Sequence, residues 1–542
     1  MRISQSMIRI FSILLITFFT TAYNPGPEPR NGSGGFISVF DNKLKRADRY
    51  FNNFEYKSAI KLYTKLVKKG KADDGVKLRL AESYVKVNDP VNAEKWYSEV
   101  IHSDQITPQH QIQYAHTLLS NGKYEEARQV INTYEFAESD YRSKAIINTL
   151  NKLEVFYADS VFYQLNSVEV NKPHYSDFSP TIFKEGMVFV SSRHDKGPKF
   201  KWDDTPFLDL YYTESDMASA KPFSKNLNSK YHEGPIAFYD DYSRAVFTRS
   251  NYLDNKLGLT EQGINTLQLY TTSWDENQND WGNINPINFI INNYSYGHPT
   301  ISTDNTKLYF ISDMPGGFGG TDLYLSERNE SGWGEPVNMG EVINTSGNEM
   351  YPFIDDENNL YFASNGHGGL GGLDVYQIQL DGPMDIRNMG YPLNTTADDF
   401  GFTLSPSGQT AYISSNREGP DNIFQIDIKA DLEMILANNS INTEVPEIDN
   451  QIELLAASEL PTQADSDELE GFEDLSTINA SIIDENNEVL ENANLKLLIN
   501  GVEKENLISN NDGKVTIQVP AGQEYTLIAS KEGFKDRVIA IP

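Results

Sequence analysis

Residues 351–376 read YPFIDDENNLYFASNGHGGLGGLDVY, and four other stretches of the chain repeat the same order of signals. A short apolar strand is followed by a turn, a second strand that ends in serine, a polar loop and a third strand. The serines that end the second strands are Ser192, Ser250, Ser312, Ser364 and Ser415. A spacing of roughly 50–60 residues, with three or four short strands per unit, is typical of the blades of a β-propeller.

The stretch before the first unit predicts how the propeller closes. Leu165-Asn166-Ser167 resembles Leu227-Asn228-Ser229, which precedes the second unit, and no outer strand follows Phe424 in the last unit. We therefore expect residues 160–170 to complete the last blade, because pairing the first strand with the last removes the open sheet edges. Five units predict a five-bladed propeller, and a degenerate unit would make it six-bladed.

A different repeat lies nearer the N-terminus. Alanines recur at intervals of 34 residues in two registers, Ala47, Ala81 and Ala115 in one and Ala59, Ala93 and Ala127 in the other. This is the period of tetratricopeptide (TPR) repeats, pairs of helices that approach closely where a small side chain lies between them. Residues 38–158 are therefore predicted to form a TPR α-solenoid, which leaves an open face for protein partners.

Composition restricts the classes of function. The chain has 542 residues, a formal net charge of -32 and no cysteine. Its length predicts several domains. The negative charge argues against nucleic acid as a partner and against docking onto anionic headgroups. The lack of cysteine excludes disulfides, thiolate catalysis and lipidation at an N-terminal cysteine.

The remaining segments are assigned from local patterns. Residues 1–22 carry Arg2 and Arg9, an apolar run and small residues suited to cleavage, so they are predicted to be a signal peptide. The alternative is a short membrane anchor, for which the apolar run falls short of the roughly 20 residues that span a bilayer. Residues 23–37 are predicted to be a disordered leader, and no later segment is apolar enough to span a membrane. Residues 431–476 are predicted to be an acidic linker. Residues 477–542 alternate strand and turn signals, which predicts a small β-sandwich.

One polar residue follows the serine of each propeller unit. These residues are Arg193, Asn251, Asp313, Asn365 and Asn416. They are candidates for a ligand-binding ring on one face of the propeller, and the alternative is that they end strands in turns. The glycine-rich stretch 366–371 matches a dinucleotide-binding pattern by letter, but its position between two strands predicts a turn. No catalytic, metal-binding or cofactor-binding residue is predicted.

These segments resemble known families. Residues 160–430 resemble the PD40, or WD40-like, repeats of TolB-type periplasmic propellers. The C-terminal segment resembles a carboxypeptidase regulatory-like domain in Asp512-Gly513, Tyr525 and residues 531–534, Lys-Glu-Gly-Phe. The whole order resembles OmpA-family envelope proteins of Bacteroidetes-type bacteria, including a component of type IX secretion and gliding. Those proteins usually continue into an OmpA-like peptidoglycan-binding domain, which no segment here resembles, so peptidoglycan contact is not expected. A truncated relative and a separate anchoring partner both remain open.

The sequence thus predicts a multidomain α plus all-β protein with a TPR solenoid, a propeller and a β-sandwich. The resemblance implies a non-enzymatic scaffold of the periplasm, associated with the outer membrane. It would bind envelope proteins, outer-membrane or secretion-system components, through its TPR and propeller surfaces. Type IX secretion, gliding and envelope integrity are the processes it could serve. The alternative is a glycan or small-ligand sensor that uses the funnel of the propeller, and a cryptic hydrolase is a third possibility. No cofactor is expected.

Overall fold

The computed structural model describes residues 9–10, 39–133, 141–151, 153–157, 163–428, 452–459 and 475–541, with short gaps at 195–196, 331, 383, 406–409, 485–488, 500–501, 521–524 and 532–536. The chain divides into two compact units, Met1–Lys429 and Ala430–Pro542. Of the predicted signal peptide and leader, only Arg9–Ile10 is described, as a short strand parallel to Ile264–Asn265. The rest of both predictions lies outside the described residues.

Helices form the first part of the larger unit. They are α1 (Val39–Asn52), α2 (Tyr56–Val67), α3 (Asp74–Lys86), α4 (Pro90–Val100), α5 (Pro108–Ser120), α6 (Tyr124–Thr133), α7 (Tyr141–Asn151) and α8 (Leu153–Tyr157). Each of α1–α6 packs against the next helix in the chain. The alanines of both registers, Ala47, Ala81, Ala115, Ala59, Ala93 and Ala127, are fully buried. The alanines that recur every 34 residues thus all lie in the helical core.

The turn residues of the sequence begin these helices. The carboxylate of Asp73 accepts a hydrogen bond from the Val76 amide at 2.9 Å, and Asp89 accepts one from Asn92 at 3.1 Å. Pro90 and Pro108 occupy the first turn of α4 and α5, where their missing N–H has no intrahelical partner to lose. These caps fix the helix boundaries from local sequence.

Antiparallel sheets follow, numbered here in chain order. Sheet 1 consists of Asp177–Phe183, Gly186–Ser191, Asp209–Thr213 and Ala220–Pro222. Sheet 2 consists of Glu233–Tyr239, Arg244–Ser250, Leu267–Asp275 and Asp280–Pro286. Sheet 3 consists of Tyr296–Ile301, Lys307–Ser312, Asp322–Asn329, Gly332–Trp333 and Val337–Asn338. Sheet 4 consists of Glu349–Ile354, Asn359–Ser364, Asp374–Gln379 and Arg387–Asn388. A small hairpin, Tyr252–Leu253 with Lys256–Leu257, extends the sheet 2 loop.

Sheet 5 closes the ring. Its strands are Asp399–Leu404, Ala411–Ser415, Asn422–Ile428 and, from the other end of this region, Tyr163–Ser167. Tyr163 pairs with Ile428 and Ser167 with Phe424, so the prediction that residues 160–170 complete the last sheet is confirmed. The first strands of neighbouring sheets contact one another in circular order, and the first strand of sheet 5 contacts that of sheet 1. This radial order is that of a β-propeller.

The C-terminal unit is built from two sheets. Strands Ile452–Glu459, Leu475–Asp484 and Lys514–Pro520 form one sheet, and Val502–Ile508, Asn494–Ile499, Tyr525–Ser530 and Arg537–Ile541 form the other. Their core contains Ile482, Leu495, Ile517 and Leu527. Strand Ile452–Glu459 lies within the predicted acidic linker 431–476. Its backbone pairs with Leu475–Asp484 in antiparallel register.

Candidate functional site

The first strand of each sheet faces the propeller axis and is irregular in its middle. Its pairing shifts register in all five sheets, at Ser179, Gly234, His298, Tyr351 and Gly401 or directly beside them. Ser179, His298, Tyr351 and Gly401 have positive φ, between +49° and +59°. A proline follows in four of the five sheets, Pro180, Pro235, Pro299 and Pro352. Proline cannot donate a ladder hydrogen bond, so the strand edges around the axis resist pairing with another strand.

Two of the five residues at this axial position are large. The rings of His298 and Tyr351 stack at 3.8 Å with an angle of 16° between their planes. The Nδ1 atom of His298 accepts the backbone N–H of Tyr351 at 3.3 Å. The other three positions hold the small residues Ser179, Gly234 and Gly401. His298 and Tyr351 are both buried and form the floor of a cavity.

The His298 side chain is neutral in this position. It is 1% exposed, and burial lowers its pKa to about 3. Because Nδ1 accepts a hydrogen bond, the proton lies on Nε2. Nε2 has no hydrogen-bond partner among the described residues. A buried donor without a hydrogen-bond partner lowers the stability of the folded state, so the His298 Nε2–H is unfavourable for folding.

A cavity of about 810 Å³ lies beside this floor. The five first strands line it, and the turns that follow them form its mouth with Tyr242, Thr303 and residues 355–357, Asp-Asp-Glu. These three residues supply the carboxyl side chains of the lining. Asp355 accepts hydrogen bonds from the amides of Glu357 and Asn359, both at 2.9 Å, and so shapes its own turn. The Thr303 hydroxyl donates to Asp356 at 2.6 Å across two sheets.

The predicted ring of polar residues lies at the opposite end of the propeller, where the first strands begin. In each sheet, one side chain at or just after the end of the second strand accepts a hydrogen bond from a backbone N–H. The donor is the residue directly before the first strand of the same sheet. The acceptors are Ser192, Ser250, Asp313, Asn365 and Asn416, at distances of 2.9, 3.2, 2.6, 2.9 and 2.8 Å. Asp313, Asn365 and Asn416 therefore occupy equivalent positions in their sheets. Their acceptor atoms hold the strand ends in place.

Arg193 and Asn251 are out of register with that set by one residue. In sheet 1 the sequence offers two successive serines, and Ser192 rather than Arg193 takes the shared position. The guanidinium of Arg193 instead contacts the buried carboxylate of Asp177 at 2.6 Å and lies over the rings of Phe189 and Tyr211. In sheet 2 the backbone of Asn251 bonds to Thr266 and Gly258. The structure thus brings three of the five predicted residues into one ring.

Buried ion pairs mark this same end. Sheet 1 has Arg193–Asp177, sheet 2 has Arg249–Glu233 at 2.9 Å and sheet 5 has Arg417–Asp399 at 2.5 Å. All three carboxylates are fully buried. Sheet 4 has Glu349 in the equivalent place, where Thr345 and Ser364 donate to it and burial raises its pKa to about 7. A cation recurring with a buried carboxylate is a packing feature of the repeat.

The helices cover this end of the propeller. Trp202, in the loop after the second strand of sheet 1, is 2% exposed and donates its indole N–H to the Lys86 carbonyl at 2.5 Å. Its ring stacks on Phe54 of the α1–α2 turn at 6.3 Å and meets Tyr56 edge-on at 4.8 Å. The Lys57 amide donates to the Trp202 carbonyl at 3.1 Å. An aromatic cluster therefore fixes the first helices to sheet 1.

Further contacts fix the later helices to sheets 4 and 5. Asn88 donates to the buried Asp398 at 2.6 Å, and the Tyr124 hydroxyl donates to the Leu370 carbonyl at 3.1 Å. A Cβ atom at Gly368 would lie 2.5 Å from the carbonyl oxygen of Ala145 in α7, so only glycine allows this approach. Asn365 lines a small cavity shared with α3–α5. Asn365 and Asn416 of the predicted binding ring thus lie beside the helices, and the cavity lies at the other end of the propeller.

The glycine-rich loops are turns that approach neighbouring backbone. The Asp322 carboxylate accepts the amides of Phe318 and Gly319 at 2.7 and 3.1 Å. A Cβ atom at Gly371 would lie 2.2 Å from the carbonyl oxygen of Thr396. The stretch 366–371 joins two strands of sheet 4, which is not the strand-turn-helix setting of a dinucleotide site. Among the described residues, no group of three or more histidines and carboxylates could hold a metal ion.

Comparisons with known proteins were made for sequence and for structure. No protein-family model matches the sequence, and no curated protein sequence is similar to it. Among solved structures, TolB from Acinetobacter baumannii is 11% identical with a TM-score of 0.29, over 54% of this chain and 71% of that one. A putative TolB from Agrobacterium tumefaciens is 11% identical with a TM-score of 0.29, over 66% and 98%. An α-L-arabinofuranosidase from Lactobacillus brevis is 12% identical with a TM-score of 0.32, over 46% and 90%.

These neighbours include proteins named TolB and a glycosidase, and similarity at this level assigns no activity to the chain. Within the described residues, no helix is both long enough and apolar enough to cross a membrane.

Proposed function

We propose that this protein is a non-enzymatic scaffold of the bacterial envelope, exported to the periplasm and associated with the outer membrane. In this proposal the helices are a TPR array, residues 163–428 are a five-bladed PD40-type propeller, and the C-terminal unit is a regulatory-like sandwich. The protein would hold partners of a secretion, gliding or envelope-integrity assembly. The observation that carries the proposal is the aromatic contact around Trp202, which joins two interaction folds into one body.

Rigid coupling matters for a scaffold because it fixes the distance between two bound partners. The helices and the propeller share buried contacts at sheets 1, 4 and 5, through Trp202, Tyr124 and Asn88. The end of the propeller that carries the cavity therefore points away from the helices. Two different partners could be bound at once, one on the outer surface of the helices and one at the cavity mouth.

The test uses the full-length protein in its own cells, with crosslinking before purification. Val91→Asp changes an exposed apolar side chain of the helices, which is 70% exposed. Asp356→Lys combined with Glu357→Lys reverses the charge of the exposed cavity mouth. Each variant is expected to lose a different subset of the crosslinked envelope proteins. Identical capture by both variants and by an unrelated exported acidic protein would refute the scaffold proposal.

The cavity favours a second candidate, a sensor for a glycan or other small ligand. Its volume of about 810 Å³ lies in the range of ligand pockets. Stacked aromatic rings, Tyr361 on Phe402 at 4.5 Å, stand in its wall. A ligand at a hundred times its Kd would stabilise the protein by about 2.7 kcal/mol. A thermal-shift screen of oligosaccharides would support this candidate if the shift saturates and is lost in Ala237→Phe, which narrows the cavity.

A further inference from the structure

The net charge of the chain is the sum of regions that carry opposite charges. Residues 43–71 contain ten lysines and arginines against two carboxylates, in a chain whose net charge is -32. These residues form most of α1, all of α2 and the turn after it. The first helices are therefore a basic surface on an otherwise strongly acidic protein. The exclusion of anionic headgroups, which was drawn from the net charge, does not apply to this surface.

The lysines of α2 and the lysine that caps its C-terminus, Lys68, lie on one face. Lys57, Lys61, Lys65 and Lys68 are spaced by four, four and three residues, which places them within about 80° of arc around the helix axis. All four are exposed. The row is about 16 Å long at 1.5 Å per residue. We call this row the lysine face of α2.

The other face of α2 is buried, so the lysine face is its outer surface. Tyr56, Ala59, Ile60, Tyr63 and Leu66 point into the helical core. Among the described residues, no carboxylate oxygen lies within 4 Å of the ammonium groups of the lysine face. Asp48 is engaged with Tyr63 and Glu55 with Lys201. Lys57 interacts electrostatically with Asp203 of the propeller, whereas Lys61, Lys65 and Lys68 form no ion pair among the described residues. The positive charge of this face is therefore only partly neutralised within the fold.

The chemistry of the face selects the kind of partner. Protein interfaces have an apolar centre and are depleted in lysine. None of the large exposed apolar side chains of the described residues falls within residues 43–71. Lysine is a compact point charge without the planar fork that arginine offers to a single phosphate or carboxylate. A straight row of lysines without apolar anchors therefore suits a fluid anionic surface, to which attraction needs no fixed geometry.

We infer that the lysine face of α2 docks the protein onto the anionic phosphate groups of a phospholipid membrane surface. Contact is electrostatic and peripheral, because no apolar side chain of the face can enter the bilayer. The outer surfaces of α1 add Lys45, Arg46 and Arg49, which are also exposed. This inference goes beyond the proposed scaffold function and does not depend on it.

The experiment measures binding of the full-length protein to vesicles by flotation. One set of vesicles contains phosphatidylglycerol and phosphatidylcholine in equal amounts, and the other contains phosphatidylcholine alone. We expect binding to the first set only. Raising the salt from about 0.1 M to about 1 M shortens the screening length from about 10 Å to about 3 Å and should release the protein.

The test variant replaces Lys57, Lys61, Lys65 and Lys68 with glutamine, which has a similar helix propensity. Each basic residue near an anionic surface is worth about fivefold in binding, so a loss of at least about tenfold is expected. The matched control replaces four exposed propeller lysines, Lys184, Lys221, Lys225 and Lys256, with glutamine. It removes the same charge and should bind as the unchanged protein does. Melting curves of both variants establish that they are folded.

Three results would overturn the inference. The first is equal binding of the unchanged protein to both vesicle sets, or to neither. The second is an equal loss in the test and control variants, which would mean that total charge matters and not the lysine face. The third is tight binding of a polyglutamate peptide to the protein. In this case the peptide displaces the protein from vesicles, and its binding requires the same four lysines. That result would assign the face to an acidic protein. None of these outcomes changes the crosslinking result expected of a scaffold.

Discussion

Replacing Trp202 with alanine should separate the unfolding of the helices from that of the propeller. Trp202 belongs to a propeller loop, but its side chain contacts α1 and α2. Its ring stacks between Phe54 at 6.3 Å and Phe200 at 6.3 Å, and its indole N–H bonds to the Lys86 carbonyl. The substitution removes the centre of this interface and leaves the helices themselves unchanged.

The magnitude follows from burial. A buried tryptophan covers roughly 150–250 Å², which is worth about 4–6 kcal/mol at 25 cal/mol per Å². Substitutions of buried aromatic residues by alanine cost about 3–5 kcal/mol. Trp202 is 2% exposed, so we expect about 4 kcal/mol of lost coupling. For a module of this size that loss lowers the melting temperature of the helices by roughly 10 °C or more.

The assay is circular dichroism at 222 nm, where the helices dominate, followed during heating beside calorimetry of the full-length protein. The matched control is Trp333→Ala, because Trp333 is 4% exposed and lies in sheet 3, away from the helices. That control should lower the propeller transition without uncoupling the helices from it. A helical melting temperature in Trp202→Ala within about 2 °C of the unchanged protein, under 1 kcal/mol, would refute the assigned interface.

Three further predictions concern single residues of the propeller. Gly371→Ala should cost about 1–3 kcal/mol in urea unfolding because its Cβ would meet a carbonyl oxygen at 2.2 Å, whereas Gly282→Ala, with 3.7 Å of space, should change stability by less than about 0.5 kcal/mol. Burial lowers the pKa of His298 to about 3, so below pH 6.5 the unfolded state binds more protons than the folded state, and the free energy of unfolding decreases as the pH decreases. His298→Asn should remove about 1.4 kcal/mol per pH unit of that decrease between pH 6 and 4. Parallel pH profiles of the two proteins would contradict this prediction. Arg193→Met should cost about 3–5 kcal/mol by leaving the Asp177 carboxylate buried without its cation, and adding Asp177→Asn should recover most of the loss; no recovery in the double variant would assign Arg193 a different role.

The helices could be placed from sequence because their signals are local and periodic. Two registers of alanines, each with an interval of 34 residues, predict where helices touch, and Ala59 and Ala93 are fully buried. In the structure Asp73 and Asp89 cap helix starts, because a carboxylate before a helix accepts its first free amides. A helix–helix contact that recurs in each repeat requires the same small residue in each repeat, so the period of the alanines locates the contact.

The five polar residues of the candidate ring could not all be aligned correctly from the sequence. The sequence aligns five units on their terminal serines, and sheet 1 offers both Ser191 and Ser192. Only the ladder pairing shows that Ser191 lies opposite Asp177, so that Ser192 and not Arg193 shares the position of Asn365. A shift of one residue turns a side chain to the other face of a strand, and composition does not record it.

The sequence by itself determined the order of the folds, the strands of each repeat and the closure of the propeller by residues 160–170. These features depend on local propensity and on repetition, which a linear chain displays directly. Only the tertiary structure decided that the helices cover the end carrying Asn365 and that His298 and Tyr351 form the floor of a cavity. Both depend on residues that break the repeat, such as Trp202 in one loop and two large rings among five axial positions. These residues act through contacts with residues far apart in the chain, and such contacts leave no periodic pattern in the sequence.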